Sequence, residues 1–253
     1  MSRSKVKNLL LLKQIRKAVA QIRKGKLEKA LQTLEKAEKA AKEAESMEAL
    51  YYTLFTKGGI YYSASRYDEA LGVYENALEV GEDLLEKNPE NVDYKHYAGT
   101  TLSNMGNLLR KKGNFEIAAE KYTRSKELYD NLLAKDPENS VFLSYAGENL
   151  NNYGGLLLEI NSLETARTVL TQAAEIYESL LKNKPDNLSY QAELASTLSK
   201  LGSTLRGMGD VKPEEAKEKL ERALEIQENL LKKEPESKQV QEELALTKER
   251  LEN

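Results

Sequence analysis

The chain has 253 residues, of which 31% are charged and 7% aromatic, and its formal net charge at neutral pH is -3. This composition favours a helical, surface-rich fold over a thick mixed core, so a compact enzyme is not the default expectation. The absence of cysteine excludes disulfides, thiolate metal sites and cysteine nucleophiles, and the single histidine, His96, excludes a multi-histidine metal site.

Nothing else in the sequence indicates catalysis. We find no nucleophile arrangement, metal cluster or phosphate-binding loop, and therefore predict a protein that is not an enzyme and uses no cofactor. No apolar run approaches the ~18 residues of a membrane-spanning helix. The lack of cysteine and of a secretory signal predicts a cytoplasmic location.

Residues 1–46 predict a helical hairpin whose first helix is basic. Residues 1–27 contain nine Lys or Arg and no Asp or Glu, whereas the rest of the chain is acidic. Apolar residues three or four positions apart predict the buried side of each helix. They are Leu12, Ile15, Val19 and Ile22 in the first helix, and Ala30, Leu34 and Ala37 in the second.

From residue 47 onward, the sequence repeats with a period of 48 residues. Glycine recurs with this spacing at Gly58, Gly106, Gly154 and Gly202. Alanine recurs at Ala70, Ala118, Ala166 and Ala216, and proline at Pro89, Pro137, Pro185 and Pro235, each with intervals of 48, 48 and 50 residues. Each proline is followed by an acidic residue and then Asn or Ser, an order that suits a turn entering a helix N-terminus. The prolines therefore separate consecutive repeats.

The apolar spacing within each repeat is helical. Leu102, Met105 and Leu109 are three or four residues apart, and the same spacing continues after the turn at Gly113. Each repeat is thus predicted to form two antiparallel helices of ~20 residues. Glycine inside a helix costs roughly 1 kcal/mol relative to alanine. Its recurrence suggests that two helix backbones pass too close there for a side chain.

The predicted organisation is one continuous array. It comprises the hairpin 1–46, four repeats over 47–236 and a capping helix over 237–253 whose outer face carries Lys and Glu. The four repeats span 47–90, 91–138, 139–186 and 187–236.

The repeated residues resemble the tetratricopeptide repeat (TPR), in which a large apolar residue, Leu-Gly and Tyr are followed by Ala, an aromatic residue and a closing Pro. In the second repeat these roles match Leu102, Met105, Gly106, Leu109, Ala118, Tyr122 and Pro137. The period departs from the family's 34 residues by 14, about two helical turns for each helix. The resemblance implies an all-α fold: a right-handed α-solenoid of antiparallel helix pairs, a TPR-like superhelix of about eleven helices.

The same resemblance implies a protein-binding scaffold, because the first helix of each TPR unit lines a concave groove that binds peptides. Asn and Ser side chains in that groove can donate to and accept from an extended peptide backbone. Simple solvation of these side chains is the alternative interpretation. The predicted groove residues are Tyr52, Phe55, Tyr62, Thr100, Ser103, Asn104, Asn107, Arg110, Glu148, Asn151, Asn152, Ser196, Ser199, Lys200, Ser203 and Arg206.

Some TPR proteins bind a peptide's C-terminal carboxylate through two Asn and three basic residues. Asn107, Asn152 and Lys200 match three of these positions, whereas Ser103 and Ser196 replace two basic residues. Without those charges, the desolvation of a carboxylate would be poorly compensated. The sequence therefore argues against this mode of binding and leaves open whether the groove takes a peptide terminus or an internal segment.

The basic first helix suggests two alternative functions. It could dock on the acidic end of a second copy, giving a head-to-tail homo-oligomer. It could also contact anionic membranes or nucleic acid. The acidic remainder of the chain and the lack of aromatic residues in this helix argue against nucleic acid and membrane partners. Plain capping of the array is the third interpretation.

Overall fold

The computed structural model describes residues 3–209 and 211–252, with side chains described from residue 11 onward. Within these ranges the chain forms eleven α-helices and no strand. The predicted all-α fold of antiparallel helix pairs is confirmed. The helices are α1 (Arg3–Ile22), α2 (Leu27–Glu43), α3 (Met47–Ser63), α4 (Tyr67–Lys87), α5 (Val92–Lys111), α6 (Phe115–Lys135), α7 (Ser140–Glu159), α8 (Leu163–Asn183), α9 (Leu188–Gly207), α10 (Pro213–Lys233) and α11 (Lys238–Glu252).

The helices form two compact units. Unit 1 comprises residues 1–114 and contains α1 to α5, whereas unit 2 comprises residues 115–253 and contains α6 to α11. Within each unit, helices that follow one another along the chain pack together, and α1 also packs beside α3. In unit 2 the odd-numbered helices lie side by side, since α9 packs against both α7 and α11. These three helices form the layer that carries the candidate site.

Asparagine side chains begin three of the odd-numbered helices. Asn91 accepts a hydrogen bond from the backbone N–H of Tyr94, and Asn187 accepts one from Tyr190. Asn139 accepts from two backbone N–H groups at the start of α7. Each of these caps follows one of the repeated prolines by two residues. The turn chemistry expected from the Pro-acidic-Asn pattern therefore forms as predicted.

The repeated glycines make room for side chains of the second helix in each pair. A Cβ atom added at three of the four positions would lie under 3.0 Å from the facing side chain: 2.7 Å at Gly58 from Tyr74, 2.4 Å at Gly154 from Leu170, and 2.6 Å at Gly202 from Leu220. The expectation of two closely passing backbones needs correction at Gly58 and Gly154, where only side-chain atoms of the facing helix are this close; at Gly202 the backbone carbonyl of Ala216 also lies 3.0 Å away. The glycine accommodates a bulky side chain of the facing helix.

The buried side of α1 differs from the prediction. Leu12 and Val19 are exposed, at 38% and 37%, whereas Leu11, Ile15 and Ala18 are buried. Ile15 and Ala18 pack with Ala30, Leu31 and Leu34 of α2. The step from Leu11 to Ile15 to Ala18 also fits a helical period. The sequence contains two overlapping sets of apolar residues with helical spacing. The set that includes the small Ala18 is the one that packs against α2.

Candidate functional site

In unit 1, the predicted groove residues of α3 mostly serve aromatic packing. The ring of Tyr52 lies 5.0 Å from that of Tyr97, and their hydroxyls are hydrogen-bonded. The ring of Phe55 lies 5.8 Å from those of both Tyr51 and Tyr74. Such pairs stabilise a fold beyond their buried area, so Tyr52 and Phe55 have a clear structural role.

The other predicted residues of unit 1 are more accessible. Tyr62 is half-buried, with its ring 5.8 Å from that of Tyr67 and the Nζ of Lys111 lying 5.9 Å from its centroid. On α5, Ser103 is buried, whereas the half-buried residues are Thr100, Asn104, Asn107 and Arg110. The hydroxyl of Thr100 donates to the carbonyl of His96 at 2.9 Å. Asn104, Asn107 and Arg110 remain candidates for contact with a ligand.

In unit 2, the layer of α7, α9 and α11 contains a polar groove of about 340 Å³. Its lining includes four predicted residues, Asn151, Asn152, Ser196 and Lys200, and also three carboxylates absent from the prediction, Glu193, Glu234 and Glu243. We call this space the unit 2 groove.

A hydrogen-bonded chain fixes the floor of the unit 2 groove. The Nζ of Lys200 donates to the Oδ1 of Asn151 at 2.8 Å, and the Nδ2 of Asn151 donates to the Oε2 of Glu193 at 2.9 Å. Asn151 is only 3% exposed. Both ends of its amide are thus engaged within the protein. Asn151 therefore connects α7 to α9 and orients Glu193 and Lys200, which leaves it little capacity to bind a ligand directly.

Towards its C-terminal end, α9 is covered by α11. Ser199 is fully buried, and its hydroxyl lies 2.8 Å from the Oγ1 of Thr247 and 2.7 Å from the Nη1 of Arg250. The exposed Arg206 also contacts the backbone carbonyl of Arg250. The hydroxyl of Ser203 donates to the carbonyl of Ser199 at 3.1 Å. Ser199 and Arg206 therefore hold α11 in place.

Three acidic side chains approach this layer, one from each helix. Glu148 of α7 was predicted as a groove residue, and its side chain is exposed at the surface. Desolvation by neighbouring protein atoms raises the pKa of its carboxyl, and the negative charge of Glu193 adds to the effect. Glu193 of α9 lies three residues before Ser196 on the same helix face. Glu243 of α11 lies 3.5 Å from the hydroxyl of Ser196.

Sequence reasoning could have found Glu193 and could not have found Tyr177. Extending the predicted stripe of α9 by one turn from Ser196 leads to Glu193. Tyr177 belongs to α8, the second helix of its pair, which the groove prediction ignored. Its side chain is 1% exposed, and its hydroxyl has no hydrogen-bond partner. Burial raises the pKa of this hydroxyl, and the carboxylates of Glu193 and Glu148 contribute to the same shift.

The basic residues of α1 that the structure describes are exposed; they include Lys13, Arg16 and Lys17. The side chains of Arg3, Lys5 and Lys7 lie outside the described residues. Over the described part of the chain, no helix is long and apolar enough to span a bilayer. The described residues likewise contain no group of three or more His, Asp or Glu side chains that could hold a metal ion.

Comparison with known proteins identifies the repeat. Residues 53–87 and 101–139 match the family model of the tetratricopeptide repeat. No curated protein sequence matches the chain significantly.

Several solved structures share the fold. BtubC (BKLC) from P. vanneervenii is 19% identical, with a TM-score of 0.69 over 91% of this chain and 93% of that chain. The STAND protein with a tetratricopeptide repeat sensor, PH0952 from Pyrococcus horikoshii, is 13% identical, with a TM-score of 0.67 over 97% of this chain and 36% of the longer one. A putative kinesin light chain from Podosopora anserina with TPR-like repeats is 16% identical, with a TM-score of 0.56 over 88% and 97%.

Proposed function

We propose that this chain, a tetratricopeptide-repeat protein with lengthened helices, is a non-enzymatic scaffold that binds an extended protein segment in the unit 2 groove. The repeat family supports the general role of a protein-interaction scaffold. The particular groove and the extended form of the ligand are our proposal.

The observation that carries the proposal is the contrast between two neighbouring amides in α7. Asn151 is held on both sides by Glu193 and Lys200. Asn152 lines the same groove, is half-buried, and has no hydrogen bond to any described residue. A free amide can donate to a peptide carbonyl and accept from a peptide N–H at the same time. Asn152 is therefore suited to recognise an extended backbone.

The rest of the groove favours the same kind of ligand. Its floor is fixed by the bonds through Asn151, so little side-chain entropy is lost when a ligand binds. The hydroxyl of Ser196 has only a long contact of 3.5 Å to Glu243, which leaves it able to bond elsewhere. An extended strand presents N–H and C=O groups along its length, and these match the dispersed amide and hydroxyl groups of the groove.

The test is a selection of random 12-residue peptides, displayed on phage, against the full chain. The strongest binders are then made as fluorescent peptides and titrated by anisotropy. We expect Asn152→Ala to weaken binding about fivefold, the loss of roughly one hydrogen bond. The matched control is Asn183→Ala, which removes an exposed amide at the end of α8. Failure to enrich any peptide, or equal affinity of both variants, would contradict the proposal.

A further inference from the structure

Glu148 and Glu193 lie on the neighbouring helices α7 and α9. Asn151 lies three residues after Glu148, on the same face of α7, and its amide donates to Glu193 at 2.9 Å. The side chain of Glu193 therefore extends from α9 towards the part of α7 that carries Glu148. Each carboxylate also raises the pKa of Tyr177, and Glu193 raises that of Glu148. These two carboxyl groups thus occupy one region of the odd-numbered layer, close enough for the charge of Glu193 to act on Glu148.

Tyr177 reaches the same place from the second helix of its pair. A Cβ atom on Gly147 would lie 3.0 Å from the Cζ of Tyr177, the ring atom that bears the hydroxyl. Gly147 immediately precedes Glu148, so the end of the ring lies beside the backbone from which Glu148 extends. The hydroxyl is buried and unpartnered. Buried hydroxyls in proteins normally have a partner, and one without a partner requires an explanation.

We propose that a basic peptide segment bound in the unit 2 groove places a Lys ammonium or Arg guanidinium beside the groove, between Glu148 and Glu193, where it also donates a hydrogen bond to the hydroxyl oxygen of Tyr177. This inference rests on the proposed peptide-binding function and specifies the chemistry of its ligand.

A cationic side chain fits the three groups because they all accept hydrogen bonds. An ammonium has three donors and no acceptor, and a guanidinium has five donors. Either would separate the two like charges and pair with both, giving charge-assisted bonds that are stronger than neutral ones. Because the Tyr177 hydroxyl is covered in the structure, entry of the cation requires a surrounding side chain to change its rotamer.

Charge along the groove agrees with a basic ligand. The acidic side chains that line it are Glu193, Glu234 and Glu243, whereas the basic one is Lys200, which donates to Asn151. An acidic segment would meet repulsion from several carboxylates at once. A basic segment would be attracted along the whole length of the groove, and its charged side chain would be held most tightly at Glu148 and Glu193.

The test uses the peptides selected for the proposed function. The double variant Glu148→Gln/Glu193→Gln removes both charges while keeping an acceptor for Asn151. Its matched control is Glu164→Gln/Glu225→Gln, which changes the net charge equally at exposed positions of α8 and α10. We expect the enriched peptides to share a Lys or Arg. Their affinity should fall about tenfold in the double variant and remain within about twofold in the control.

Two further measurements test the positive charge of the peptide and the hydroxyl of Tyr177 separately. Replacing the shared Lys by norleucine, or the shared Arg by citrulline, should cause a similar loss without any change in the protein. Tyr177→Phe should weaken binding about threefold while leaving the circular dichroism spectrum unchanged. The inference is overturned if peptides enrich without basic residues, or if both double variants bind equally. That outcome leaves the proposed function standing, whereas failure to enrich any peptide removes both.

Discussion

The ring of Tyr177 in α8 packs against Gly147 in α7, where an added Cβ would lie 3.0 Å from the ring. Unit 1 shows the reverse order: Tyr51 in α3 packs against Gly81 in α4, with a corresponding distance of 3.6 Å. Tyr51 and Gly147 hold the same position in the 48-residue repeat, as do Gly81 and Tyr177. The tyrosine thus lies in the first helix of its pair in unit 1 and in the second helix of its pair in unit 2, and in both cases it packs against a glycine.

The two tyrosines differ in what their hydroxyls contact, so removing each hydroxyl should have different effects. The Tyr51 hydroxyl donates to the carbonyl of Tyr97 at 2.7 Å and lies 2.8 Å from the Oγ1 of Thr101, whereas that of Tyr177 has no partner. We expect Tyr51→Phe to lower the free energy of unfolding by about 1–2 kcal/mol. Tyr177→Phe should leave it unchanged or raise it. Urea denaturation of both variants checks this, and an equal loss in both would show that Tyr177 has a structural partner.

Substitution of helical glycines by alanine should have opposite effects at two sites. At Gly154, a Cβ would lie 2.4 Å from Leu170, and we expect Gly154→Ala to lower the unfolding free energy by about 1–3 kcal/mol through overpacking. At Gly72 in α4, nothing lies within 4 Å, so Gly72→Ala should raise it by about 0.5–1 kcal/mol. Thermal denaturation of both variants gives the signs. A stabilising effect at Gly154 would mean that Leu170 moves away readily.

The desolvated carboxyl of Glu148 predicts a pH dependence of stability. Its pKa is raised in the folded chain, so folding favours the protonated form. This contribution is fully present below the ordinary pKa of a glutamate and is lost as the pH rises through the raised value. Glu148→Gln, which stays uncharged, should therefore be more stable than the original chain near neutral pH and differ little at about pH 4.

The control for this pH dependence is Glu225→Gln, which removes an exposed carboxylate of α10. Urea midpoints measured from about pH 4 to about pH 7 should separate the two variants increasingly as the pH rises. Parallel curves for both variants would show that Glu148 is as well solvated as a surface residue.

Two serines of α9 should differ in how much they stabilise the packing of α11. The buried hydroxyl of Ser199 contacts Thr247 and Arg250 of α11. That of Ser203 bonds within its own helix. We expect Ser199→Ala to lower the unfolding free energy by about 1–2 kcal/mol and to speed amide exchange in α11. Ser203→Ala should change either quantity little. Unaltered exchange of α11 in the first variant would mean that apolar packing alone holds this helix.

The regular part of the fold could be predicted from the sequence because it follows from periodic residues. The helical spacing, the Asn caps after each proline and the repeated glycines are local features, and they predicted the helix pairs. The predicted buried side of α1 was right at Ile15 and wrong at Leu12 and Val19, because Leu11 and Leu12 fit the helical period equally well and only packing against the partner helix distinguishes them. The side chain that contacts each repeated glycine could not be predicted from the sequence either, since it depends on which residue of the second helix projects there.

The candidate site was less predictable, because its chemistry depends on contacts between helices. The sequence predicted that the amides and hydroxyls of α7 and α9 share a helix face. It did not indicate that both ends of the Asn151 amide are hydrogen-bonded within the protein, or that α11 covers Ser199. The role assigned to Tyr177 required its ring to pass over Gly147. In that contact, a bulky side chain packs against a glycine 30 positions earlier in the sequence.

The most direct test of the account is hydrogen exchange of the full chain, followed by mass spectrometry, with and without the strongest selected basic peptide. We predict that the peptide slows exchange in α7 and α9 around Glu148, Asn152 and Glu193. Exchange in α8 should slow only near Tyr177, and exchange in α10 should be unaffected. Protection confined to the even-numbered helices, or to unit 1, would contradict the assignment of the unit 2 groove as the binding site.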